Sequence, residues 1–144
     1  MQSDYLKYWR VVRYFIKAKY GLNTEELDML LFLRSEQYFD KGKFQEFNNL
    51  LGWNKDRFHK LVREGWIEVF RKGHRGVRSL YCLSYKAKRV IKSIYNKLEG
   101  EEIPTSQTSN PMFAKNVSYS DKIYRNMIIE MNKFIKQQRH RSEK

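Results

Sequence analysis

The sequence predicts a mainly α fold carrying one small β-hairpin (α+β). Two observations support this reading. Apolar residues recur at helical spacing in six separate stretches, and two short runs rich in β-branched and aromatic residues flank a five-residue loop containing two glycines. The chain has 144 residues, near the usual size of one domain. Its 41% hydrophobic and 15% aromatic content suits a packed core and excludes a disordered tail.

Residues 4–20 place Tyr5, Trp9, Val12, Phe15 and Ile16 at helical spacing, and Gly21 ends the run. Asn23-Thr24-Glu25-Glu26 opens a second helix, with Asn23 or Thr24 as the cap and acids in the first turn, where the helix dipole favours them. Its expected buried stripe is Leu27, Leu30, Leu31 and Tyr38. Asp40-Lys41-Gly42 breaks the pattern, and a shorter helix at about 43–51 carries Phe44, Phe47, Leu50 and Leu51 as its apolar residues. Gly52-Trp53-Asn54 then reads as a tight turn ending in a good cap. The following helix, about 55–64, buries Phe58, Leu61 and Val62, and Gly65 stops it. Helix, short glycine-containing turn, helix is the helix-turn-helix pattern.

Two extended runs come next, 67–71 and 77–83, separated by Lys72-Gly73-His74-Arg75-Gly76 as a hairpin loop. Ser84 caps a helix over 85–98 that turns Ala87, Val90, Ile91, Ile94 and Leu98 inward. Residues 99–118 hold both prolines and a run of Thr, Ser, Gln and Asn, which reads as an exposed connection, mobile unless it packs on something. The last helix, about 119–139, sets Ile123, Tyr124, Met127, Ile128, Met131, Phe134 and Ile135 along one broad face before a polar, basic tail. There is no internal repeat, which excludes solenoids.

Twenty-nine Lys and Arg stand against sixteen Asp and Glu, for a formal net charge of +13 and a pI near 9.8. Such an excess repels itself. It points to a polyanionic partner, nucleic acid first and an anionic membrane surface second, with solubility alone as the remaining reading. No apolar run is long enough to span a membrane. A single cysteine and an N-terminus without a signal-peptide pattern fit a reducing cytoplasm. His59, His74 and His140 lack metal-ligand spacing, and one cysteine cannot build a cysteine-rich zinc site. No nucleophile–base pair, phosphate-cradling glycine loop or acidic metal cluster emerges, so neither an enzyme nor a cofactor is expected.

Three stretches carry a resemblance: Leu61-Val62-Arg63-Glu64-Gly65-Trp66-Ile67-Glu68, then Arg75, then Leu83-Ser84-Tyr85-Lys86-Ala87. Together with the order of elements over residues 5–98, they resemble the MarR family of winged-helix transcriptional regulators. The resemblance implies a winged helix-turn-helix with added N- and C-terminal helices. Residues 1–98 would form the DNA-binding domain with its N-terminal helix, 99–118 a linker, and 119–144 a dimerisation helix with a basic tail. It also implies a homodimer through the terminal helices, and a location in the cytoplasm of a bacterium or a phage-infected cell, associated with the nucleoid. Such proteins often bind a small-molecule effector, but no polar constellation here marks a pocket for one. The chain departs from the family pattern three times, one of them being the long linker before the last helix. The stretch from Gly52 to Gly65 is about one helical turn shorter than is typical, and His74 stands where an acidic residue usually precedes the wing arginine.

In helix-turn-helix proteins the second helix enters the major groove, and its N-terminal residues reach base edges. With Phe58, Leu61, Val62 and Gly65 toward the core, Asp56, His59, Lys60 and Arg63 occupy the opposite face, flanked by Lys55 and Arg57. Lys and Arg suit guanine or phosphate, and His59 suits either. The hairpin adds Arg71, Lys72, His74, Arg75 and Arg78, a set suited to phosphates or a narrow minor groove. The expected partner is therefore double-stranded DNA, bound sequence-specifically to control transcription. Two alternatives remain open: a winged-helix protein-interaction scaffold, and a phage structural, replication or packaging protein. Trp9, Trp53, Trp66 and Cys82 read as core residues. The last helix has two readings, dimer contact or packing on its own core.

Overall fold

A computed structural model describes residues 5–51 and 57–142. Its elements run α1 (Tyr5–Tyr20), α2 (Thr24–Arg34), α3 (Lys41–Leu51), α4 (Arg57–Arg63), β1 (Ile67–Arg71), β2 (Leu80–Leu83), α5 (Tyr85–Leu98), a short 3₁₀ helix (Pro111–Phe113) and α6 (Tyr119–Ser142). This is the mainly helical α+β arrangement, with one two-stranded antiparallel hairpin in a winged-helix-like layout. The chain divides into two compact units, Asn23–Ile91 on the one hand and Met1–Leu22 with Lys92–Lys144 on the other.

In the Asn23–Ile91 unit, α2 starts with a reciprocal cap. Glu26 N–H donates to the Asn23 side chain at 2.8 Å, and Asn23 N–H donates to the Glu26 carboxylate at 3.1 Å. Leu27 and Leu30 are buried as their spacing requires, together with Met29 and Leu33. Tyr38 corrects the expected stripe: α2 ends at Arg34, and Tyr38 lies beyond it, 44% exposed. Phe39 is buried in its stead. Its backbone pairs with Tyr81 through two hydrogen bonds, of 3.0 and 2.7 Å, so alternation along an extended segment decides which ring points inward.

Helix α3 begins at Lys41, two residues before the start read from its apolar spacing. The cause is Asp40, whose carboxylate accepts the Lys43 N–H at 2.8 Å and caps the first turn. Phe44 is buried, and Phe47 packs on Phe32 with ring centres 5.4 Å apart. Leu50, one of the apolar residues of this helix, is 80% exposed, while Asn48 is buried. The Leu51 side chain lies outside the described residues, as do the Gly52-Trp53-Asn54 turn and the start of the following helix.

Helix α4 anchors through Phe58 and Leu61; the Phe58 ring meets Phe44 and Tyr81 edge-on at 5.0 and 4.9 Å. Gly65 ends it in the left-handed region (φ +82°), with Gly65 N–H bonded to Val62 O at 3.1 Å and Trp66 N–H to Leu61 O at 2.9 Å. That two-bond pattern is the Schellman close, and glycine permits it at no steric cost. The hairpin then pairs Ile67 with Leu83, Glu68 with Cys82, Val69 with Tyr81 and Arg71 with Leu80, leaving Phe70 as the extra residue of a bulge. Strand β2 is shorter than the expected 77–83 because Gly73 N–H turns to the Ser79 hydroxyl at 2.8 Å. A side chain at Gly73 would strike Val77 O, 2.5 Å from its Cβ, so the loop closes only with glycine there.

In the other unit, α1 buries Val11, Val12, Phe15 and Ile16, and α6 buries Ile128, Met131 and Ile135. These two helices pack together: Tyr14 stacks on Tyr124 at 3.9 Å, Tyr8 meets Phe134 edge-on at 6.3 Å, and Tyr14 donates to Asp121. Of the two readings for the last helix, packing on its own chain is therefore present. Residues 99–118, expected to be an exposed connection unless they pack on something, do pack at three points while many of their other residues stay exposed. Ile103, Asn110 and Met112 are at most 1% exposed. Asn132 on α6 pairs with the Ile103 backbone as a neighbouring strand would, accepting its N–H at 3.0 Å and donating to its carbonyl at 2.9 Å. Asn110 donates to Pro104 O at 2.8 Å and accepts the Met112 N–H at 3.1 Å. Two apolar residues, far apart among polar ones, hold the segment down without any periodic signal.

Candidate nucleic-acid interface

The candidate interface lies wholly within the Asn23–Ile91 unit. Helix α4 has two polar faces set by the helical period. His59 and Arg63, four residues apart, are exposed. Arg57 and Lys60, three apart, are only partly exposed and turn toward the first turn of α2. There the Lys60 ammonium sits 3.1 Å from Glu26 Oε2, and the Arg57 guanidinium 3.8 Å from Oε1. Glu26 is 1% exposed. A carboxylate that deep is tolerated only when cations and donors meet it, because desolvation costs several kcal/mol per ion. Glu64, at the end of α4, lies 4.0 Å from Lys60 as a weaker second acid. Lys55 and Asp56 lie outside the described residues.

The hairpin presents Arg71, Lys72, His74, Arg75 and Arg78 at exposed positions. His74 and Val77 exchange hydrogen bonds of 3.1 and 2.8 Å, which places Arg75 at the tip. Arg78 is drawn back at the base of the loop, donating to Asp40 at 3.2 Å. The Lys43 N–H, and then Arg78, hold the Asp40 carboxyl below the ordinary carboxylate range, although its partial burial works the other way. Asp40, Lys41, Gly42, Arg78, Ser79 and Tyr81 line a shallow cleft of about 380 Å³ between the start of α3 and the hairpin.

The remaining sequence candidates separate cleanly. Trp66 is 1% exposed and lies beneath Lys86, whose ammonium is 4.0 Å from the ring centre and 3.1 Å from Glu64 O. It is a core residue with a cation over its face. Trp9 is half-buried, with the Arg13 guanidinium 5.7 Å from its ring, and Trp53 lies outside the described residues. Burial pushes the Cys82 thiol up, and Glu68 adds to this, both working against the thiolate form. Among the described residues, no three His, Cys, Asp or Glu side chains are placed to hold a metal. No helix among them is long and apolar enough to cross a membrane.

Spacing alone missed the roles of Glu26 and Asp40. The Asn-x-x-Glu pattern signals the cap that Glu26 makes. Nothing local signals its second task, or the Asp40–Arg78 pair, whose members are 38 residues apart.

No protein-family model and no curated protein matches the chain. Solved structures with a similar fold include a cysteine-to-serine mutant of MarR from E. coli complexed with operator DNA. That match has 13% identity and a TM-score of 0.45, covering 87% of this chain and 84% of that one. A MarR-family transcriptional regulator from Silicibacter pomeroyi is similar at 14% identity and a TM-score of 0.44, over 90% of this chain and 80% of that one.

Proposed function

We propose that the chain is a sequence-specific, duplex-DNA-binding transcriptional regulator, with α4 entering the major groove and the hairpin resting on phosphate or in the minor groove. The observation that carries this reading is the hairpin. Arg71, Lys72, His74 and Arg75 are exposed within five residues, and none has an acidic partner among the described residues. A protruding loop of this kind has no structural use for its charge, whereas phosphates use it fully. On α4, His59 and Arg63 form the exposed edge suited to base contact, with Lys55 added from the sequence. Arg57, Lys60 and Arg78 have internal acids beside them and contribute less.

The reading includes a homodimer through the terminal helices. Leu6, Tyr119, Ile123 and Ile129 remain 84%, 79%, 42% and 37% exposed on α1 and α6 although these helices pack together, and such apolar positions suit a second copy.

One experiment tests both parts: selection from a random duplex library, then footprinting of the selected site. A pseudo-palindromic footprint is expected, with Arg63→Ala costing about 1–3 kcal/mol at one base position in each half-site. Replacing Arg71 and Arg75 with alanine should weaken all duplexes alike and lower the salt slope by about 2. A library that yields no preferred sequence would overturn the regulator reading.

A further inference from the structure

The described part of helix α4 runs from Arg57 to Arg63. Its pose is set by what it packs against. Phe58 and Leu61 supply the apolar contact. The polar contact is Glu26, whose two oxygens do different work: Oε1 accepts the Asn23 N–H and closes the α2 cap, and Oε2 faces the Lys60 ammonium at 3.1 Å. Lys60 and Arg57 are the two cations on one face of α4, while His59 and Arg63 are the two exposed groups on the other. A DNA phosphate and the Glu26 carboxylate would compete for the same two cations.

We infer that Glu26 is a positioning residue for DNA selectivity, holding Lys60 and Arg57 off the phosphate backbone so that base reading by α4 falls to His59 and Arg63. The inference rests on the DNA-binding reading. Its logic is electrostatic. Phosphate contacts raise affinity for every duplex equally, and base contacts alone separate one sequence from another. An acid that withholds two cations from phosphate lowers the common term and leaves the discriminating one, so the ratio of specific to non-specific binding rises.

The test uses the full chain and four proteins: wild type, Glu26→Gln, Lys60→Met and the double variant. Binding to a random-sequence duplex and to the selected site is followed by fluorescence anisotropy between about 50 and 200 mM salt. Glutamine keeps an oxygen for the Asn23 cap and puts an uncharged amide NH2, a donor rather than an acceptor, where Oε2 faces Lys60. Glu26→Gln should steepen the salt slope on random duplex by about 1–2, tighten that binding severalfold and lower the specific-to-random ratio. Lys60→Met alone should leave the slope nearly unchanged, yet remove about 1 from it in the Glu26→Gln background.

A slope that falls by about 1 with Lys60→Met alone overturns the inference, since Lys60 would then already be on phosphate. An unchanged slope with Glu26→Gln also overturns it. If Glu26→Gln fails to fold, the Lys60→Met result decides by itself. Wild type that binds no duplex removes the DNA-binding reading and this role together. That outcome is distinguishable, because Glu26 and Lys60 would still couple in urea unfolding without DNA.

Discussion

Two buried polar side chains, one in each unit, solve the same problem differently. Asn132 is 8% exposed and pairs with both backbone groups of Ile103 through neutral hydrogen bonds of 3.0 and 2.9 Å. Glu26 is 1% exposed, caps α2 with one oxygen and meets Lys60 at 3.1 Å with the other. The amide is self-sufficient: its partners are fixed backbone groups that no solute displaces. The carboxylate leans on mobile cations that salt screens and a polyanion can draw away. The scaffold unit uses the lock that does not respond, and the unit with the candidate interface uses the one that can.

Bulk charge does not separate the units in the same way. The Asn23–Ile91 unit has fourteen Lys and Arg against nine acids, and the rest of the chain fifteen against seven. The candidate interface is therefore marked by placement, an exposed hairpin loop without acids beside a helix with one face occupied, rather than by the larger excess.

The contrast can be broken at several points. Asn132→Leu leaves the Ile103 N–H and carbonyl buried without partners, and should cost about 2–4 kcal/mol in urea unfolding. That loss should be the same at low and high salt, and a salt-dependent loss would count against the neutral lock. Glu26→Gln keeps the cap and loses the charge pairing, so about 1–2 kcal/mol is expected at low salt, shrinking as salt rises. An equal loss at both salt levels would mean the carboxylate acts only as a cap.

The smallest effect concerns Asp40. Its carboxyl is held low in the folded chain, first by the Lys43 N–H, so the stability it adds is fully present above the ordinary carboxylate pKa. That stability is lost as pH falls through the folded value. Asp40→Asn retains a capping oxygen and should remove this acid-dependent part, a change under about 1 kcal/mol between roughly pH 5 and 3. Unfolding curves for the two proteins that stay parallel across that range would exclude it.

Much of the fold was legible because it is written in local spacing. Helix α5 occupies 85–98 as its apolar period and Ser84 require, and the Ala87 N–H does reach Ser84 Oγ at 3.2 Å. The cap at Asn23, the stop at Gly65 and the hairpin with its basic loop follow from residue types at fixed offsets. Local spacing failed where burial depends on a distant partner. Leu50 fits an apolar stripe yet faces solvent, and Tyr38 yields its buried place to Phe39 because Tyr81 pairs with the Phe39 backbone. Residues 99–118 have loop composition, but Asn132, 29 positions beyond Ile103, ties them down.

By itself the sequence determined that six helices and a basic hairpin would form, and in what order, because capping, periodicity and turn chemistry act over a few residues. It also marked α4 and the hairpin as the cationic surface. Only the tertiary structure decided which of those cations are free. Lys60 and Arg57 share a helix with His59 and Arg63, but a buried carboxylate from α2 lies beside the first pair and not beside the second. Helical spacing says which residues share a face; it cannot say what another helix brings to that face.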